Sequence, residues 1–205
     1  MPTEILIIGA GGHSKVVLEA LQLSKPEVNL IVVDDDKSKV GQLIFGRVPV
    51  VSLDKGPQSH MLYHVAIGDN RIRKKCSLEA QKEGKKPVTI FHPDASISVT
   101  SKISEGCFVA AKAVIAAESE IGKDCIINHG AVIDHDCKVA AYTHIAPNVT
   151  LGGGVIVGEE CLVGAGATIL PKIKIGNQVV IGAGAVITCD VLDNQIMVGV
   201  PGIQV

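Results

Sequence analysis

Every sixth residue from Ile97 to Ile187 is aliphatic, sixteen positions in unbroken phase. Small residues such as Ser101, Cys107, Ala113, Cys125, Ala131 and Thr143 recur four places after these anchors. A period of six matches neither the 3.6 of an α-helix nor the 2 of an ordinary strand. It matches a triangular coil with three hexads per turn, anchors pointing inward and small residues near the corners. The segment is therefore read as a left-handed parallel β-helix of hexapeptide repeats. Residues 18 apart then stack one rung away, about 4.8 Å along the coil axis.

The first 90 residues carry a different pattern. Glu4–Ile8 is a short apolar strand followed by Gly9-Ala10-Gly11-Gly12-His13, and the next stretch puts Val16, Val17, Ala20 and Leu21 on one helical face. A second strand, Asn29–Val33, ends in Asp34-Asp35-Asp36, and a third, His64–Ile67, runs into Gly68-Asp69-Asn70 and a basic helix from Arg71 to about Glu83. This alternation predicts an α/β, Rossmann-like domain over residues 1–90 with a ligand site at the carboxyl edge of its sheet. The β-helix domain is assigned to residues 91–205.

Composition agrees with a core of many thin layers, because aromatics are only 2% of the chain while Ile, Val, Ala and Gly abound. A net charge of −2, with no basic run and no stacking aromatics, argues against nucleic acid. No apolar run reaches the roughly 18 residues of a membrane span, and Met1-Pro2-Thr3-Glu4 does not open a signal peptide. Six cysteines without metal-ligand spacing read as free thiols of a cytoplasmic protein. Cys107, Cys125 and Cys161 fall in one column of the coil and are read as compact hydrophobes.

Chemistry concentrates at Asp134-His135-Asp136-Cys137. An imidazole beside a carboxylate is oriented and made more basic through its second ring nitrogen. One rung on, Gly153 of Gly152-Gly153-Gly154 stacks over His135, bringing backbone N–H groups close to it. Ala165 and Ala183, in two Gly-Ala-Gly-Ala stretches one rung apart, make a strip nearly free of side chains, fit for a long thin ligand or for a second subunit. His129 and His135 occupy equivalent positions on neighbouring faces and cannot chelate one ion, so no metal is expected. In the first domain, Gly9-x-Gly11-x-x-Ser14 lacks the third glycine of a dinucleotide fingerprint. Its helix start still suits a phosphate, with Asp34 and Asp35 placed for sugar or base hydroxyls. An NAD reading stands beside that one.

The chain resembles the bacterial sugar acetyltransferases that acetylate UDP-4-amino-sugars, as in bacillosamine synthesis, a family that includes sialic acid O-acetyltransferases. The likeness rests on Gly9-Ala10-Gly11-Gly12-His13, Val33-Asp34-Asp35, Ala66-Ile67-Gly68-Asp69-Asn70 with Ile72-Arg73, His92-Pro93, the unbroken hexads, Asp134-His135-Asp136-Cys137 and Gly199-Val200-Pro201. It implies a homotrimer with acetyl-CoA in grooves between neighbouring coils, His135 as general base and Asp136 raising its basicity. It further implies that His144, Ala165 and Ala183 line the acetyl-CoA site, and Gly153 is counted with them, a backbone N–H near it being expected to meet the oxyanion. Gly11, Gly12, His13, Asp34, Asp35 and Gly68 would hold a UDP-amino-sugar in place of NAD. Two departures stand out: some members carry Glu where Asp136 is, and the basic C-terminal tail common in the family is missing, Lys174 being the last basic residue. Two further readings remain: O-acetylation of a sialic-acid-like sugar, and a non-catalytic scaffold that binds nucleotide-sugars.

Overall fold

The computed structural model describes residues 4–52 and 62–205; the opening residues 1–3, read above as no signal peptide, lie outside them. β1 (Glu4–Ile8) leads into α1 (Gly12–Ser24), β2 (Asn29–Asp34), β3 (Leu43–Ile44), β4 (Val48–Ser52), β5 (Leu62–Val65), α2 (Asn70–Lys82) and β6 (Lys86–Pro87). They form a sheet in the order β3-β4-β2-β1-β5-β6, with all pairs parallel except β3 with β4. The third expected strand, His64–Ile67, is observed two residues earlier as β5. The β3–β4 hairpin is an addition that short, half-exposed strands without alternation do not announce.

The sheet is covered on both sides because successive side chains of β1 alternate. Ile5 and Ile7 pack with Val17, Leu18 and Leu21 of α1, whereas Leu6 and Ile8 pack with Tyr63, Val65 and Ala80 on the α2 side. The α1 side continues into Ile90, Phe108 and Ile126 of the coil, so one hydrophobic cluster spans both parts of the chain.

The rest is a left-handed parallel β-helix with three flat faces made of two- and three-residue strands. One face, which we call the docking face, starts at Ile90–Phe91 and carries Phe108, Ile126, His144, Leu162 and Val180 in register. The second face runs from Ser96–Ile97 to Val186–Ile187, and the third from Lys102–Ile103 to Lys174–Ile175. The coil thus begins one hexad before Ile97. Phe91 holds the anchor slot of that first hexad.

The anchors from Ile115 to Ile187 are buried. The small residues four places on also point into the core and are not merely corner residues: Cys107, Ala113, Cys125, Ala131, Cys137 and Thr143 are all fully buried. The column cysteines act as compact apolar groups. Their thiols meet carbonyls one hexad-series away, with Sγ of Cys125 3.1 Å from Ala140 O and Sγ of Cys161 2.9 Å from Gly176 O.

Candidate active site

The β1, β2 and β5 strands end side by side, with Ile8 paired to both Val33 and Val65. Their loops enclose a cavity of about 490 Å³ lined by Gly9, Gly11, Gly12, His13, Asp34, Asp35 and Gly68, among others. Gly9 has φ +104°, and a Cβ there would meet Ile67 Cγ1 at 2.6 Å, so only glycine closes this turn. Gly11 precedes α1 in extended conformation without a side-chain cap. The first N–H groups of α1 are left for a ligand, and a Cβ on Gly11 or Gly12 would meet nothing within 4 Å.

The two aspartates divide the work. Asp34 is buried, and its carboxylate accepts from the N–H of Ala10 at 2.6 Å and of Asp36 at 2.9 Å and pairs with Lys39 at 3.1 Å. Burial alone would raise its pKa, but these donors outweigh it and hold the carboxyl below its ordinary value. Asp34 therefore braces the glycine loop, while Asp35 is exposed at the mouth. Sequence reasoning missed Lys39, Lys75, Cys76 and Glu79, which also line the cavity, because no motif marks them.

The cavity opens beside the docking face. His13 stands edge-on to Phe108 at 5.2 Å between centroids and 6.5 Å from the ring of His144. His144 lies 3.1 Å from Asn128 Nδ2 through its Nε2, and Asn128 Oδ1 lies 2.9 Å from His129 Nδ1. Burial, followed by neighbouring His64, His144 and Arg73, lowers the pKa of His13 to about 3; burial and then Arg73 lower that of His144 to about 4. These rings are neutral at pH 7. His144 thus stands beside His13 of the cavity lining, on the face that leads to the corner at 165–166.

Ala165 and Ala183 are exposed at the corner between the docking and second faces, one rung apart, with Gly184 N–H donating to Ala165 O at 2.8 Å. Cβ atoms on the adjoining Gly166 and Gly184 would meet nothing within 4 Å, so the strip is open along its length.

His135 and Asp136 stand at another corner, between the second and third faces. His135 Nδ1 and Asp136 Oδ2 are 2.7 Å apart, the side chains being 62% and 65% exposed. The His135 N–H donates to Asp134 Oδ1 at 2.7 Å. The hydrogen bond to Asp136, then the charge of Asp134, raise the imidazole pKa above its ordinary value. With Nδ1–H given to Asp136, Nε2 carries the free lone pair. Gly154 N–H donates to His135 O, and a Cβ on Gly153 would lie 2.6 Å from His135 Nε2. The expected stacking is therefore present, and Gly153 is the glycine that makes room for the ring.

This corner is opposite the docking face of a three-sided coil. On one chain the cavity adjoins His144 through His13, the alanine strip lies at one edge of the same face, and His135, Asp136 and Gly153 stand at the opposite corner, apart from both. Among the described residues no group of three or more His, Cys, Asp or Glu is placed to hold a metal.

Known proteins combine these same parts. Residues 4–79 match the PglD N-terminal domain, and residues 100–135, 118–153 and 154–189 match the bacterial transferase hexapeptide. A variant of perosamine N-acetyltransferase from Caulobacter crescentus, solved with CoA and GDP-perosamine, superimposes with a TM-score of 0.92 at 38% identity, over 98% of this chain and 96% of that one. The acetyltransferase domain of PglB from Neisseria gonorrhoeae, solved with acetyl coenzyme A, gives 0.90 at 34% identity, with all of both chains covered. UDP-N-acetylbacillosamine N-acetyltransferase from Bacillus subtilis is 35% identical over 112 residues, 52% of this chain. The aligned stretch is 51% of that enzyme, so the chain spans about half the length of this curated relative. On the matches that run the full length of both chains, the chain belongs to the family of N-acetyltransferases that join a PglD N-terminal domain to a hexapeptide-repeat coil.

Proposed function

We propose that the chain is an acetyl-CoA-dependent N-acetyltransferase acting on the amino group of a UDP-4-amino-sugar in bacterial surface-glycan or glycoprotein sugar synthesis. Residues 1–90 bind the nucleotide-sugar and residues 91–205 carry acetyl-CoA and the base. The observation that carries this reading is the His135–Asp136 pair, with its free Nε2 lodged against a side-chain-free Gly153. In the cavity, the α1 amino terminus with Gly11, Gly12 and His13 takes the pyrophosphate, and Asp35 takes a ribose or base hydroxyl. The open strip at Ala165 and Ala183 fits the pantetheine arm of acetyl-CoA, and no metal is required.

The acceptor amine attacks the thioester carbonyl. His135 Nε2 takes the proton that the amine loses, and the CoA thiolate leaves with the electron pair of the broken C–S bond. Asp136 keeps the ring in the tautomer that can accept at Nε2 and stabilises the imidazolium. The N–H of Gly153 donates to no acceptor among the described residues and supplies a hydrogen bond to the oxyanion. The two half-sites lie on opposite sides of one coil, so the complete site takes His135 from one subunit and the cavity from the next. This is the reason for a homotrimer, and the free thiols suit the cytoplasm.

A second reading replaces UDP by GDP; it is favoured by the Caulobacter relative, solved with GDP-perosamine. Thiol release from acetyl-CoA measured with UDP-amino-sugars, GDP-amino-sugars and sialic acid decides among them. Turnover with UDP-amino-sugars is expected. Turnover with sialic acid alone moves the reaction to a hydroxyl, and no thiol release with any acceptor leaves the scaffold.

A further inference from the structure

We propose that Arg73 is a positioning residue for acetyl transfer, clamping the Gly68 wall of the nucleotide-sugar cavity onto successive rungs of the β-helix. The proposal rests on the acetyltransferase reading above. Arg73 is on α2 and only 1% exposed. All five of its N–H donors are used: Nε to Asp124 O at 2.8 Å, Nη1 to Ile67 O and Gly68 O at 3.0 Å each, and Nη2 to Asn70 Oδ1 and Tyr142 O at 2.7 Å each.

The acceptors fall in two groups. Ile67 and Gly68 line the cavity. Asp124 and Tyr142 are 18 residues apart, one directly above the other at the corner between the third and docking faces. Both adopt positive φ, 54° and 60°, and their carbonyls take no N–H from the coil's own ladder. Asn70 extends the same contact by one rung, donating to Glu160 O at 3.0 Å and Cys161 O at 2.9 Å. The coil thus offers a column of spare carbonyls, and the start of α2 is built to fill it.

The geometry matters because the base arrives from elsewhere. If His135 is supplied by a neighbouring coil, its distance to the sugar amine depends on how the first domain sits on its own coil. The apolar patch of Ile90, Phe108 and Ile126 holds the two together without fixing direction. A planar guanidinium with five bonds fixes both register and angle.

The test compares wild type with Arg73→Lys, which keeps the charge and loses the fork, and with Arg73→Met. In Arg73→Lys, kcat should fall about tenfold to a hundredfold, as expected for a misplacement of ~1 Å. Its KM for acetyl-CoA should stay unchanged, and Arg73→Met should lose more. Hydrogen exchange should speed up at residues 67–70 in Arg73→Lys while the rungs carrying Ile133 and Leu151 stay protected. A kcat for Arg73→Lys within about twofold of wild type overturns the proposal. A rise in both KM values with a general loss of exchange protection also overturns it, because that is loosening and not positioning. If wild type itself transfers no acetyl group, the functional reading has failed; the exchange at residues 67–70 then decides the clamp alone, and unchanged exchange there overturns it.

Discussion

Gly153 lies so close to His135 that a methyl on its α-carbon would sit 2.6 Å from both Cε1 and Nε2 of the imidazole. No side chain other than hydrogen fits while the ring keeps its place. Gly153→Ala should therefore push the imidazole aside without breaking the coil, since Gly153 does not need positive φ. A displacement on the order of 1 Å can cost about 10²-fold in rate. Steady-state kinetics should show kcat reduced by roughly that factor, with the β-helix circular dichroism unchanged. A fully active Gly153→Ala enzyme would separate this glycine from the chemistry.

Loss of the proposed base should be a larger change. His135→Ala should lower kcat by about 10²–10⁴-fold. Asp136→Asn should lose less, because the ring remains. The sign of its pH effect follows from the pair: Asp136 and Asp134 favour the imidazolium, so His135 holds its proton to higher pH than an unpaired ring. Removing the Asp136 charge lowers the His135 pKa and moves the acid limb of kcat/KM to lower pH. A limb that stays in place, measured over pH 5 to 9, assigns that limb to another group.

The coil and the His135–Asp136 contact were legible in the chain for the same reason: both are written locally. The anchor phase is imposed residue by residue by inward packing, and Asp136 follows His135 directly. What was hidden is what joins distant residues. Arg73 reaches Asp124 and Tyr142 across 51 and 69 positions, and although Ile72-Arg73 is among the residues that carry the family likeness, nothing in the sequence says what the guanidinium holds. The approach of His144 to His13 is equally unreadable, since it depends on how the sheet docks on the coil. Asp34 was read as a ligand for hydroxyls, but the fold also spends its carboxylate on the Ala10 and Asp36 amides, a contact that no sequence motif announces.

The buried histidines make stability depend on pH. His64 is 1% exposed, with Nδ1 2.9 Å from Val88 O, and burial lowers its pKa to about 4. Its stabilising contribution is complete above the unfolded value of about 6.5. It is lost as pH falls toward 4, because the unfolded chain binds the proton first. A shift of this size corresponds to ~3 kcal/mol for one group. His13 and His144 act in the same direction, whereas Asp34, held below the ordinary carboxyl value, gives up its share only at lower pH. Urea midpoints should therefore drop between pH 6.5 and 4, and His64→Asn, which keeps a donor for Val88 O, should flatten part of that slope. A slope unchanged in His64→Asn would mean that this ring is protonated in the fold.

The separation of the two half-sites predicts complementation. Light scattering should report three copies of the 21.4 kDa chain. His135→Ala removes the base but leaves the cavity. Gly12→Trp fills the cavity, where a side chain at this position meets no protein atom within 4 Å, but leaves the base. Each variant alone should be inactive. In a trimer whose sites each take His135 from one subunit and the cavity from the next, any mixed assembly contains one junction with both parts intact. Random mixing by co-expression should then restore about a quarter of wild-type turnover. If base and cavity served the same site within one chain, no mixed trimer would contain an intact pair and the mixture would stay as inactive as its parents. Activity in the mixture and none in either variant is the expected result; silence in all three would return the site to a single chain and remove the reason for the trimer.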